Sequence, residues 1–411
     1  MNVDRFRPDH RVCVRRYHDA TNTFAAEVDI SADVVSISTS KTYGQVAGGF
    51  SLVTTAKLAD FWETVTPNDL VTIDLDAGDG TGLRPVLVGQ INRLAEALSL
   101  DSSGTPRRSF QISGFDLGKI LLQHNASWDI ARFDQFFGDE FIKRIDQGLQ
   151  VSGTPSQLIR SVVQTYLHLQ VPWTKTWVAL DRVEAADDWQ TLDYTVAWHE
   201  GSVWQVLERL SNRPWNVLHT ETGEDGKLHV VLERAPFHDE TGRLTRETLH
   251  DIPDSHAAAY NLGRDDTERT NWVYFDPQLS VFGAREASIG MLRVVDRGLL
   301  SYDEASVHRH GLRGQHVATI FTPFGTRAYE PSEPDEIQKA AARGAAVWNW
   351  YRRNHLYRNG QLTVKGSPAY RAGDGIVFGG DQYLVERVAH TYVWGQSYQT
   401  TLGVTRGQRH G

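Results

Sequence analysis

The chain is poor in sulfur: 411 residues include one cysteine, Cys13, and two methionines. One cysteine cannot form an intrachain bridge, which excludes a disulfide scaffold. Within its alternating segment, Cys13 reads as a small buried hydrophobe of a strand. Positive charge is not in excess either. Forty-two Lys and Arg stand against 51 Asp and Glu, for a net charge of −9, and no dense basic run occurs. That balance argues against nucleic acid or an anionic membrane as a partner. No apolar stretch approaches the roughly 18–20 residues of a membrane span, and the polar opening residues carry no export signal. The expectation is a chain that works in the cytoplasm or leaves by assembly into something larger. What remains is an ordinary globular composition, 40% hydrophobic and 23% charged, long enough for two to four domains at roughly 100–200 residues each.

Residues 1–115 read as short strands separated by turns. Val12 and Val14 alternate with charge, and the alternation returns in Val35–Ser38, Phe50–Thr54, Leu70–Leu75 and Phe110–Ile112. Val86–Ile91 is a more apolar strand. Period-two alternation places one face in a core and the other in water, as in an antiparallel barrel or sandwich. The run Gly78-Asp79-Gly80-Thr81-Gly82 lacks the following helix of a dinucleotide site and the spaced acids of a calcium loop, and reads as a hairpin tip.

Residues 116–235 change character. Thr154-Pro155 predicts a helix start, with Leu158, Val162, Tyr166 and Leu169 on one face. Gly201-Ser202 predicts a second, carrying Val203, Val206, Leu207 and Leu210 and ending near Asn212-Arg213-Pro214. Trp215–His219 and Lys227–Leu232 flank a turn at Glu224-Asp225-Gly226 and predict a hairpin. Residues 236–276 contain a strand candidate, Asn271–Phe275, and 277–331 are poorly patterned, as an insertion or long loop would be. In 332–411, Ile337, Ala340, Ala341, Gly344, Val347, Trp348 and Tyr351 mark a helix of about five turns. Its back is basic, with Lys339, Arg343, Arg352 and Arg353, and strands follow.

A weak internal repeat relates the two ends. The first carries Asp69–Ile73, Val86–Ile91 and Phe110–Gly114; the last carries Asp374–Phe378, Tyr383–Val388 and Thr400–Val404. Each set is an acidic turn into an alternating strand, a second apolar strand, a loop, and a closing strand. Any two antiparallel β-domains can share such a pattern, so periodicity alone leaves both duplication and coincidence open.

The segment from Tyr383 to Gly407 resembles the closing barrel strands of the central hub proteins of phage tails and related contractile injection systems. That family includes the late control D-type proteins and the base of the valine-glycine repeat spike proteins of type VI secretion. Val35–Lys41 with Gly49–Leu52 resembles the family's opening hairpin, Ile112–Asp116 its first-barrel exit, and Gly201–Leu210 its middle-domain helix. The resemblance implies a mainly β fold with α+β insertions: two tail-tube-like antiparallel β-barrels flanking a mixed α/β middle region. The first barrel would be 1–115, the middle domain 116–235, and the second barrel would begin in 236–276 and resume in 332–411 after the insertion.

It also implies a non-enzymatic homotrimer. Three chains with two barrels each would form a pseudo-sixfold ring, joining a hexameric tail tube protein to a trimeric spike protein. Other baseplate proteins and the tape measure protein would be further partners, with no membrane span. The location would be the virion tail baseplate, assembled in the bacterial host cytoplasm. Since the sequence stops four residues after Gly407, a piercing domain would be a separate chain.

Enzyme readings are weaker. His238, His250 and His256, and the pair His308 and His310, lack the helix spacing or cross-strand carboxylate of a metal site. Asp134, Asp139, Glu140, Asp187 and Asp188 are candidates for a carboxylate pair of a glycosidase, and Asp187-Asp188-Trp189 with Trp198 could stack a sugar. An acidic turn is the alternative. A cell-wall-active or glycan-binding tail tip protein is thus the competing function. No Gly-x-Ser-x-Gly elbow, Walker loop or His-Glu-x-x-His occurs. The expectation is no catalytic, cofactor-binding or metal residue and no cofactor. Trp348, Trp350, Tyr351 and Trp394 point to large contact surfaces, in the core or between chains.

Overall fold

The computed structural model describes residues 8–18, 20–55, 65–100, 106–127, 151–185, 192–194, 199–237, 243–246, 249–277, 301–319 and 334–409. The fold is mainly β with helical insertions. The first β region comprises β1 (His10–Arg15), β2 (Val34–Thr42), β3 (Gly49–Thr55), β4 (Leu70–Asp76), β5 (Leu83–Leu100) and β6 (Pro106–Asp116). Strict alternation in β3 buries Phe50, Leu52 and Thr54 and leaves the residues between them half-buried. Cys13 is buried in β1, and burial pushes its thiol up to about 12, so the group is inert. Asp79 closes the hairpin tip between β4 and β5, accepting hydrogen bonds from the Thr81 amide and hydroxyl.

The middle unit contains α1 (Pro155–Val162), α2 (Val203–Leu210), β7 (Asn216–Thr222) and β8 (Leu228–Arg234). Both helices begin with a capping box, Thr154 with Gln157 and Ser202 with Gln205, and Pro155 fills the first turn of α1. Leu158, Val162, Val203, Val206, Leu207 and Leu210 then share one core with Leu218 and Leu232 of the β7–β8 hairpin.

The second β region contains β9 (Leu249–Asp251), β10 (Ala257–Gly263), β11 (Arg358–Lys365), β12 (Gly375–Phe378), β13 (Asp381–Val393) and β14 (Ser397–Arg409), with α3 (Pro334–Tyr351) before β11. The two β regions share one 13-stranded sheet. Its order is β10-β11-β14-β13-β2-β3-β6-β5-β4-β1, then Val28–Asp29, with β12 and β9 branching from β13.

Within this sheet one five-stranded plan occurs twice. The first module has the order β2-β3-β6-β5-β4, and the second β10-β11-β14-β13-β12. A 3-10 turn precedes the opening strand in each, Ser31–Asp33 before β2 and Asp254–His256 before β10. Register irregularities match as well. The β2–β3 ladder shifts between Val34 and Ser36, and β10–β11 between Ala257 and Ala259. The β5–β6 ladder shifts between Ile91 and Arg93, and β13–β14 between Val385 and Arg387. Such bulges re-aim a strand and pin its register. Ile112 faces Leu52 and Leu94, and Leu402 faces Leu362 and Val388. Ile91 therefore corresponds to Val385, so the apolar runs Val86–Ile91 and Tyr383–Val388 lie three residues out of step in the sheet.

The modules differ in what joins their first two strands. Residues 43–48 link β2 to β3, whereas 264–357 separate β10 from β11. This segment is not featureless: Trp272–Pro277 pairs in parallel with Gly314–Thr319, and a helix spans Glu304–His310 between them. The helix is capped by Asp303, which accepts from the Ser306 amide, and ends at Gly311 with φ +73. α3 spans five turns and its Trp350 is buried. Arg352 and Arg353 lie in the turn after its end and not on its back. The Arg406 guanidinium stacks 3.5 Å from the Trp350 ring centroid and donates to Trp350 O and Asn354 Oδ1, both at 2.7 Å, fastening β14 to α3.

Candidate functional site

The richest cluster of charge lies where the β7–β8 hairpin docks onto both modules. Lys41, at the end of β2, extends its Nζ to Asp116 Oδ2 at 2.6 Å, Thr220 Oγ1 at 2.7 Å and Val46 O at 3.2 Å. All three ammonium hydrogens are thereby used. Burial lowers the Lys41 pKa, and Asp116 opposes that shift. The carboxylate is held in turn by the amides of Gly48 at 2.8 Å and Gly118 at 2.9 Å. Gly118 must lack a side chain, because a Cβ there would stand 1.8 Å from Val46 O. The loop after β2, the exit from β6 and the middle hairpin therefore close on one ion pair.

A second cluster adjoins it. Tyr43 donates to Glu233 Oε1 at 2.9 Å, and Arg246 reaches the same oxygen at 3.0 Å and also the Tyr43 hydroxyl. Burial opposes ionisation of Glu233, but the charge of Arg246, the nearby His219 and the hydrogen bonds from Arg246 and Tyr43 together hold the carboxyl below its ordinary value. His219 packs on Tyr43, with ring centroids 5.1 Å apart, and burial pushes its pKa down to about 4. Arg371 of the second module bonds Glu221 at 3.3 Å and Thr222 O at 3.1 Å, and Arg182 also pairs with Glu221. His229 sits between Asp181 at 2.8 Å and Asp225 at 2.9 Å. Apart from Tyr43, these side chains border an open basin of about 1380 Å³.

The chemistry of this junction is that of a clamp: each ionised group faces an opposite charge or a backbone dipole. Of the histidines in the sequence-level clusters, His250 belongs to the basin and bonds Asp374 at 3.1 Å. His256 is exposed in the turn before β10, and His308 and His310 lie in the last turn of the Glu304–His310 helix, where basic side chains complement the dipole. His238, Asp134, Asp139, Glu140, Asp187, Asp188, Trp189 and Trp198 lie outside the described residues. Among the described residues no three His, Cys, Asp or Glu side chains are grouped to hold a metal, and no helix is long and apolar enough to cross a membrane. Sequence reasoning missed Lys41, Asp116 and Thr220, which are far apart in the chain and share no spacing.

No family model and no curated protein matches the sequence. Solved structures do match in fold. The tail protein from Neisseria meningitidis MC58 is similar at TM-score 0.54 and 15% identity, over 96% of each chain. The 43 kDa tail protein of prophage MuSo2 from Shewanella oneidensis is similar at TM-score 0.53 and 12% identity, over 97% of this chain and 98% of that one. The E. coli c3393 protein, described as a component of the type VI secretion system, reaches TM-score 0.48 at 11% identity, over 92% of this chain and 76% of that one, a level that carries no inference. The chain thus has, from end to end, the fold of two proteins described as tail proteins.

Proposed function

We propose that this chain is a structural, non-enzymatic component of a phage tail or related injection system, and within it the baseplate hub. A homotrimer would place six modules in a pseudo-sixfold ring, one side meeting the hexameric tail tube and the other a trimeric spike. Other baseplate proteins and the tape measure protein would be neighbours, and the particle would be assembled in the bacterial cytoplasm. The observation that carries this reading is the duplicated five-stranded module, in a chain whose fold matches tail proteins over nearly its whole length. Two copies of one module per chain resolve a mismatch between six and three. The clamp of Lys41, Asp116, Arg371 and Glu221 supports the same reading, because a hub that bears load needs its units fixed relative to one another. Native mass spectrometry of the full chain, alone and mixed with its tube and spike proteins, tests it. Three copies are expected; a stable dimer, or a chain that stays single in the mixture, overturns the reading.

A further inference from the structure

Among the described residues the two modules share one strand pairing inside the chain, and each keeps the complementary half of that pairing unused. At the meeting point β2 lies along the outer half of β13, from Thr42 opposite Arg387 to Ser36 opposite Val393. Its pair Ile37 and Tyr392 is buried, at 1% and 4% exposure, in the core of the first module. The counterpart of β2 in the second module is β10. The counterpart of the outer half of β13 in the first module is residues 93–100 of β5. Among the described residues, β10 pairs only with β11, and residues 93–100 pair only with β6.

The register carries this correspondence to single residues. Ile37 faces Leu52 as Tyr260 faces Leu362, so Tyr260 takes the place of Ile37. Leu94 faces Ile112 as Val388 faces Leu402, and four residues further along lie Leu98 and Tyr392. Leu98 and Tyr260 thus hold the positions of the buried pair, yet they are 67% and 66% exposed. Only Trp394, at 68%, is as open among the described large hydrophobic residues. β10 also carries no charge from Ala257 to Gly263, whereas an edge strand kept from pairing is usually blunted by charge, proline or shortness. The opposite end of the sheet is blunted, by the two-residue strand Val28–Asp29.

We infer that β10 of one copy pairs antiparallel with residues 93–100 of the next copy, Tyr260 against Leu98, repeating between chains the contact that β2 and β13 make within one. The surfaces are different on the two copies, so the contact is heterologous and closes a ring when its rotation matches that of the internal junction. The strand pairing stands on the register of the modules; the number of copies, three, rests on the hub reading above.

Cysteine cross-linking of the full chain tests it. Directly opposed residues of paired strands have Cβ atoms about 4.5–5.5 Å apart, near enough to the span of a disulfide. The double variant Leu98→Cys with Tyr260→Cys, oxidised at about 100 μM, is expected to form a covalent ladder ending at three chains, while either single variant forms none. Native Cys13 is buried and does not interfere. Independently, Leu98→Asp and Tyr260→Lys change exposed side chains and are expected to leave the fold intact while weakening self-association about tenfold to a hundredfold each, the loss that burying one large apolar side chain implies. A ladder that ends at another number supports the pairing and overturns the trimer. A wild-type trimer with no cross-link in the double variant, and no weakening by either charge, overturns the pairing and leaves the trimer standing.

Discussion

Acidification between pH 6.5 and 4 should destabilise the protein through two buried histidines. His219 is 3% exposed and faces Tyr43, Glu221 at 3.9 Å, Glu233, Lys41, Arg246 and Arg182. His390 is 6% exposed, with Nδ1 at 3.1 Å from both the Thr400 and the Tyr398 hydroxyl. Burial pushes both pKa values down to about 4. The unfolded chain takes up these protons near pH 6.5, the folded chain only near 4, so in the interval the unfolded state binds more protons. Stability is therefore full above pH 6.5, falls as pH drops toward 4, and levels off below. Each histidine contributes about 3 kcal/mol to that fall. At about 2.1 cal/mol/K of unfolding entropy per residue, a chain of 411 residues shifts by about 1.2 °C per kcal/mol, so the two together lower Tm by about 7 °C between pH 7 and pH 4. Scanning calorimetry of the wild type and of the double variant His219→Gln with His390→Gln measures it. The variant should lose most of this slope between pH 6.5 and 4. Identical slopes, or either imidazole titrating near 6.5 by NMR, would refute the burial argument.

Two further substitutions address the clamp and the helix anchor. Asp116→Ala leaves the Lys41 ammonium without its counter-ion and two amides without their acceptor; with Asp116 5% exposed, about 3–5 kcal/mol is expected, seen as a Tm lower by about 4–6 °C. A fall under about 1 °C would show that the pair is worth no more than a surface one. Arg406→Ala should cost about 2–4 kcal/mol by removing a stacked, doubly bonded, buried guanidinium, and hydrogen exchange should rise in α3 but not in β2 and β3. Arg406→Lys should recover little, since an ammonium neither stacks nor forks.

Local signals in the sequence predicted local structure well. Alternation located β2, β3 and β4, and Thr154 and Ser202 marked both capped helices because a cap and its partner lie three residues apart. The helix Glu304–His310 carries the same kind of signal, Asp303 at its start and Gly311 at its end, but it is too short for apolar periodicity to stand out. Its His308, Arg309 and His310 draw attention as a cluster when they are dipole partners. The lengths of β5 and β6 exceed their alternating cores because, among the described residues, the outer half of β5 is paired on one side only and keeps no buried stripe. The Lys41–Asp116–Thr220 junction is not legible at all: its members are joined by the sheet and by the docking of the hairpin.

Strand direction sorts the loops of both modules. The middle unit leaves from the end of β6, and residues 264–357 leave from the end of β10, which is the end of the strands that also bears loop 43–48. The opposite end bears the hairpin turn after Val393, beside Val35. Among the described residues, both long excursions therefore leave from one end of the strands. On the hub reading proposed above, a tube arriving at the other end would meet six copies of one frame, and a spike approaching the end with the excursions would meet alternating bulk and seat in only three orientations. One duplicated frame with its excursions on a single side would then convert one rotational symmetry into another without any subunit having to change shape.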